Sequence, residues 1–134
     1  MKLSFLQCRN RAWLLCLALG LGGCAVVRHT PAPFTPVADT AVIAPRTLAQ
    51  GMQLTLDTGY ARTLKPGSAW RRSGSIAQGE VYRPVNDVFT LEGAHIHEAY
   101  LVIRDDTLVG FYLPAEAGFS PLRTPLPLRF TPDH

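Results

Sequence analysis

The segment from His95 to Pro114 limits the fold more than any other part of the chain. It holds two apolar runs, AYLVI and LVGFYL, on either side of Asp105-Asp106. Valine, isoleucine and aromatic residues favour strands, and aspartate is common in turns because its side chain bonds to the local backbone. The segment therefore predicts an antiparallel β-hairpin.

Two turn lengths would give this hairpin two different registers. A two-residue turn would leave both faces of the hairpin mixed in polarity. A three-residue loop, Asp105 to Thr107, would pair Ile103 with Val109 and make one face wholly apolar. The same loop would pair Leu101 with Phe111. Its last residue is a β-branched threonine, which is poorly suited to a left-handed conformation. We favour the three-residue loop because the face pattern involves more residues.

The rest of residues 50–134 carries similar β signals. Met52, Leu54 and Leu56 alternate with polar residues, which is the period of a half-buried strand. Further strand-like runs, separated by glycine or by turn residues, lie at 68–74, 80–85, 87–93 and, as an edge strand with three inward apolar side chains, 126–130. A single helical turn is predicted at 45–51.

These signals predict an all-β domain of five to seven short strands. An open antiparallel sheet of this size would leave its edges and one face exposed. A small antiparallel barrel or a two-layer sandwich buries more of the strand edges and of the sheet faces, and one of these two is the expected fold.

Residues 25–46 are rich in proline, with Pro31, Pro33, Pro36 and Pro45. This spacing favours extended backbone and opposes regular helix or sheet. We interpret residues 24–49 as a tether that holds the domain away from its attachment point. The alternative is an arm that packs along the domain and lends it a strand.

The first residues have the organisation of a secretory signal. Lys2, Arg9 and Arg11 form a basic leader, and residues 12–21 carry no charge. An apolar run of this length is too short to span ~30 Å of hydrocarbon as a helix, but it suits the apolar region of a signal peptide. Residues 1–23 are therefore predicted to be removed.

The residues after the apolar run, Leu21-Gly22-Gly23-Cys24, resemble the lipobox of bacterial lipoproteins. The resemblance covers residues 1–24 and implies cleavage before Cys24, which would be acylated and would attach the protein to a lipid bilayer. Inner-membrane lipoproteins of enteric-type bacteria usually carry aspartate where this chain has Ala25. The resemblance therefore implies an outer-membrane location, with the domain facing the periplasm.

Processing would also exclude thiol chemistry. Cys8 and Cys16 lie in the leader and Cys24 would be acylated, so the mature chain would have no free thiol for a disulfide, a zinc cluster or a nucleophile. Removing the three basic leader residues from the thirteen of the chain leaves ten, which equals the ten acidic residues. A neutral domain has no overall attraction for polyanions, and no nucleic-acid partner is expected.

The pair His95 and His97 is the one candidate for a metal site. On a strand both side chains would point to one face with Cβ atoms ~7 Å apart, while Glu98 would point to the other face. A closed site needs more ligands than two, so we favour structural histidines on the core-facing side. The alternative is a ligand- or metal-binding module built on these two residues.

No pattern of catalytic residues is present, and no cofactor is expected. The serines lack the G-x-S-x-G context, and the glycine-rich stretches lack a phosphate-binding pattern. Four aromatic residues are expected to face outward or half-outward: Trp70, Tyr82, Tyr100 and Tyr112. Such a surface would suit recognition of a polypeptide or a glycan strand. The alternative, which we favour, is that they are half-buried strand residues of a small core. The sequence thus predicts a non-enzymatic lipoprotein that assists or docks with envelope proteins.

Overall fold

A computed structural model describes residues 25–133 of the chain. Within these residues the regular structure is all strand, and no helix long and apolar enough to cross a membrane is found there. The strands are β1 (Thr30–Pro31), β2 (Thr35–Pro36), β3 (Arg46–Thr47), β4 (Met52–Thr55), β5 (Ala61–Leu64), β6 (Ala69–Ile76), β7 (Gly79–Pro84), β8 (Thr90–Glu92), β9 (Ile96–Glu98), β10 (Tyr100–Arg104), β11 (Thr107–Leu113) and β12 (Gly118–Pro127). The all-β prediction is confirmed.

The main sheet has the order β1-β12-β11-β10-β7-β6-β2, and β3 adds a second partner to β6. Every pairing in it is antiparallel. Only three residues separate β1 at one edge of this sheet from β2 at the other. Because so short a segment reaches both edges, the sheet has to curl into a small barrel-like form. Two hairpins, β4–β5 and β8–β9, lie outside it.

The curled sheet has an apolar core on each face. On one face Leu101 and Phe111 pack with side chains from the separate hairpins, such as Leu54, Leu64 and Leu91. On the other face the core takes side chains from the arm, between β1 and β2, and from β6, β7, β10, β11 and β12. These residues are Ala32, Ile76, Val81, Val102, Tyr112 and Phe119. This second core is the interior of the barrel-like form, because all of its walls contribute to it.

The turn of the central hairpin is shorter than predicted. Asp105 and Asp106 have φ angles of 51° and 56°, and Ile103 pairs with Leu108 across them. A two-residue turn with both φ values positive matches the right-handed twist of the flanking strands. The predicted pairing of Ile103 with Val109 is therefore wrong.

A β-bulge reconciles this short turn with the apolar face. Val109 is an extra residue in β11, so that Leu101 still pairs with Phe111 as predicted. The bulge returns the remaining residues of β11 to the expected faces and sends Val109 towards the second core. Turn chemistry and face pattern are thus both satisfied.

The proline-rich segment is the arm of the alternative interpretation and not a free tether over residues 25–37. Thr30 pairs with Phe119 in β12, and Thr35 pairs with Ser75 in β6. Ala32 is only 3% exposed. The prolines are compatible with this role because extended backbone is what a barrel strand requires. The predicted helical turn at 45–51 is also absent, and β3 occupies its start.

The C-terminal region forms a longer strand than expected. β12 pairs with β11 along its length, but β1 flanks only its first two residues. Its prolines therefore lie mostly where the strand has one neighbour, which is where proline is tolerated. Leu128 is buried, and Leu126 and Phe130 pack against the first core as predicted.

Candidate functional site

The lipidation motif, Leu21 to Cys24, lies outside the described residues, and Ala25 is the first residue that the structure describes. The carbonyl of Ala25 accepts a hydrogen bond from the backbone N–H of Ala94 at 2.8 Å. Val27 is 5% exposed and belongs to the first core. The residue that follows the candidate acylated cysteine is therefore part of the folded domain.

The two histidines of the H-x-H pair do not act together. His95 is exposed and precedes β9, whereas His97 is half-buried, so the expectation that both face the core is wrong for His95. Nδ1 of His97 donates to Oε1 of Glu116 at 2.6 Å. Within residues 25–133 no three histidine, cysteine or carboxylate side chains are grouped closely enough to hold a metal ion.

Instead, His97 belongs to a contact between three parts of the chain. The ring of His29, in the arm, lies 6.4 Å from the ring of His97 between centroids. Glu116 comes from the turn between β11 and β12, and its second carboxylate oxygen is buried without a partner. The ring of His29 also lies over Gly118, where a Cβ atom would meet it at 2.7 Å. This cluster fastens the start of the arm to the sheet.

The expected aromatic surface is not exposed. Trp70 is 3% exposed and meets Phe89 edge to face in the first core, where Tyr82 is also buried. Tyr112 is 5% exposed in the second core, and only Tyr100 is half-buried. Trp70 and Tyr82 lie on the face of the sheet that the hairpins cover, and Tyr100 and Tyr112 lie on the other face, towards the arm.

An open cavity of about 230 Å³ lies where the arm, the β4–β5 hairpin and β12 meet. Its depth is apolar, since it reaches Leu91 and Phe111, each of which is 1% exposed. Val27 of the arm and Leu56 of the hairpin also line it. The cavity therefore opens directly beside the first core.

The mouth of this cavity is charged. Arg28 and Arg123 line it together with Asp57, and Arg123 Nη2 lies 3.3 Å from Asp57 Oδ1. The two guanidinium groups and one carboxylate leave a net positive charge at the mouth. Residues so distant in sequence give no local signal, which is why sequence reasoning missed this site.

Comparisons of the chain with protein-family models, with curated proteins and with solved structures each find no match.

Proposed function

We propose that the protein is a lipid-anchored, non-catalytic component of the outer membrane that faces the periplasm and binds a small amphipathic anion. The single observation that carries the binding function is the open cavity above Leu91 and Phe111 with arginine at its mouth. Ligand sites are typically concave, mostly apolar and supplied with a few polar groups that orient the ligand.

The size of the cavity limits the ligand class. Ligand pockets typically enclose ~300–1,000 Å³, so a cavity of about 230 Å³ suits one ring system or a short hydrocarbon chain. The apolar part of the ligand would rest on Leu91 and Phe111. Its acidic group would lie at the mouth, where Arg28 and Arg123 carry the positive charge.

The anchor is supported by the motif at Leu21 to Cys24 and by the position of the fold. A protein attached through Cys24 would hold its domain directly at the membrane, because the next residue, Ala25, is hydrogen-bonded to Ala94 within the fold. Two or more acyl chains give durable attachment without a membrane-spanning helix.

Docking with an envelope protein is the other function expected from the sequence. Three of the four aromatic side chains that suggested it are buried, so ligand binding has the better structural support. Metal binding by His95 and His97 has less support, because His95 is exposed and no group of three potential ligand side chains is found within residues 25–133.

Metabolic labelling with a radioactive fatty acid tests the anchor. We expect Cys24→Ser to abolish the label and to leave an unprocessed precursor. Cys16→Ser is the matched control, because it changes the same residue type within the leader and should leave labelling intact. Undiminished label in Cys24→Ser would overturn the anchor.

Fluorescence titration with naphthalene-1-sulfonate, a single fused ring system with one acidic group, tests the cavity. We expect saturable binding that weakens by about tenfold in Leu122→Trp, which narrows the cavity, a loss equivalent to ~1.4 kcal/mol. Val88→Trp is the control, since Val88 is exposed and does not line the cavity. Equal affinity in both variants, with cooperative melting retained, would exclude the cavity as the site.

A further inference from the structure

Exposed apolar side chains are concentrated at one end of the domain. Among the described residues, five large apolar side chains are half exposed or more. Val26, Tyr60 and Ile96, at 61%, 50% and 73%, belong to segments that meet around Ala25. The other two, Val42 and Val88, lie in loops outside these segments.

The contacts around Ala25 show how this end is assembled. Ala25 bonds to Ala94 in the turn between β8 and β9, and Ile96 begins β9 two residues later. Tyr60 lies before β5 in the turn of the β4–β5 hairpin, and it lines an open depression in the surface together with Ala25. Two hairpin tips and the start of the chain therefore form one surface, which we call the anchor-side surface.

The hairpin tips are also joined to each other, so the surface is fixed in shape. The hydroxyl of Thr58 donates to the carbonyl oxygen of Glu92 at 2.8 Å. A Cβ atom on Gly93 would come within 2.9 Å of the carbonyl oxygen of Ala25, which shows how closely the backbones approach there. The exposed side chains consequently project from a defined platform.

Charge does not oppose placing this end against lipid. The carboxylate of Glu92, beside the platform, lies 3.8 Å from the guanidinium group of Arg62. Asp57 is paired with Arg123 at 3.3 Å. The acidic side chains of these two hairpin tips thus have cationic partners, which reduces their repulsion from anionic headgroups.

We propose that the anchor-side surface lies in the interface of the bilayer, with Val26, Tyr60 and Ile96 among the headgroups and upper acyl chains. The occupant of the surface is lipid, because an acylated Cys24 would be joined to Ala25 by a single peptide bond and would bring this end to the membrane. Amphipathic rings such as that of tyrosine are favoured at such interfaces. The inference rests on the proposed anchor and adds an orientation to it.

This orientation also places the ligand cavity close to the membrane. Val27 and Arg28 follow the surface directly in sequence and line the cavity, which also includes Thr58. A ligand that partitions into the bilayer surface would therefore enter without crossing the periplasm. The membrane becomes the source of the amphipathic ligand.

An introduced cysteine would carry the only free thiol of the processed protein. Cleavage would remove Cys8 and Cys16, and acylation would block the thiol of Cys24. Four full-length variants are expressed in a bacterial host: Ile96→Cys, Tyr60→Cys, Val42→Cys and Val88→Cys. Each variant is labelled with a thiol-reactive fluorophore and reconstituted into vesicles of phosphatidylethanolamine and phosphatidylglycerol. Val42 and Val88, which are 101% and 66% exposed, serve as controls outside the anchor-side surface. Quenching by aqueous iodide is compared between vesicles and detergent.

We expect quenching at Ile96 and Tyr60 to fall by about threefold or more in vesicles, because interfacial residues sit ~5–10 Å into the boundary. Quenching at Val42 and Val88 should not change. Flotation of the proteoliposomes separates the two proposals. Protein that floats but shows the same quenching in vesicles as in detergent at all four sites would overturn the membrane contact of the surface alone. Protein that fails to float would overturn both the anchor and the membrane contact.

A protein partner would give a different pattern. If Ile96 and Tyr60 were protected in native envelope membranes but fully quenched in pure lipid vesicles, the surface would belong to a protein interface. That result would overturn the lipid assignment.

Discussion

The ring of Phe34 stacks on the ring of Tyr112 with the centroids 5.1 Å apart and the planes inclined by 17°. Phe34 lies between the two short strands of the arm, and Tyr112 lies in β11 on the far side of the barrel-like form. The contact therefore crosses the second core and joins the arm to the centre of the sheet.

Loss of this contact should weaken the closure of the sheet. We expect Phe34→Ala to lower the free energy of unfolding by about 2 kcal/mol, since the ring is half-buried and its truncation leaves a cavity. Val42→Ala, at a fully exposed position in the same part of the chain, should have little effect. Urea denaturation measures both, and equal midpoints for the two variants would contradict the prediction.

Gly74 is the point of β6 at which the arm comes closest. A Cβ atom there would lie 2.3 Å from the carbonyl oxygen of Thr35 and 2.4 Å from Cζ of Phe34. Because backbone and a packed ring have to move, we expect Gly74→Ala to destabilise the protein by about 1–3 kcal/mol. Ser75→Ala, the exposed neighbour, is the control. Proteolysis within residues 25–37 should increase only in Gly74→Ala, and an intact arm in that variant would refute the packing described.

The two histidines should differ in their effect on stability. His97→Ala removes the hydrogen bond to Glu116 and is expected to cost about 1 kcal/mol, whereas His95→Ala should be close to neutral. We also expect a chelator to leave the melting temperature of the wild-type protein unchanged. A stoichiometric metal in elemental analysis, lost together with stability in the double variant, would show that the metal-site alternative is right.

The left-handed turn of the central hairpin makes a specific demand on residue 105. Asp105 has a φ of 51°, a region that aspartate and asparagine tolerate and β-branched residues avoid. We expect Asp105→Val to lower stability by about 1–2 kcal/mol and Asp105→Asn to be nearly neutral. Chemical denaturation distinguishes the two substitutions. Equal losses would indicate that the side-chain charge and not the backbone conformation matters.

Alkaline pH should destabilise the domain through two tyrosines, the buried Tyr82 and the half-buried Tyr100. Burial raises the pKa of Tyr82 above its ordinary value of 10.0, and the neighbouring carboxylate of Glu80 adds to the rise. Burial, with Glu98 nearby, also raises the pKa of Tyr100. Below the ordinary pKa both states keep the phenolic proton. Above it the unfolded chain ionises first, so stability falls as pH rises towards the pKa of the folded state.

The variant Tyr82→Phe provides the control for this effect. It keeps the ring in the core and removes one ionisation, so its stability should fall less steeply than that of the wild type above about pH 10. Thermal melts across that range give the slopes. Parallel slopes would show that Tyr82 does not contribute to the alkaline loss.

Local patterns were sufficient for the strands but not for what covers them. Alternation gave the pairing of Leu101 with Phe111, because hairpin neighbours are close in sequence. The arm could not be recognised in this way, since Thr30 meets Phe119 only after nearly the whole domain has been built. Its prolines suggested a tether, although extended backbone also suits a barrel strand.

The site shows the same limit. The charged mouth joins Arg28, Asp57 and Arg123 from three separate parts of the chain, and no spacing rule connects them. An outward position of the aromatic side chains follows from alternation only if one face of each strand meets solvent. In this protein both faces of the sheet are covered, so alternation could not distinguish an inner from an outer ring.

Closure of the barrel by its first strand has a consequence for the order of folding. β1 is among the earliest parts of the domain to be synthesised, yet its partner β12 is the last strand to appear. Pairings so distant in sequence form slowly, because the loop must close before any contact rewards it. During synthesis the hairpins β4–β5 and β10–β11 can form early, but the sheet keeps two open edges until the final residues arrive. An incomplete chain would expose those edges, and unpaired strand edges promote aggregation.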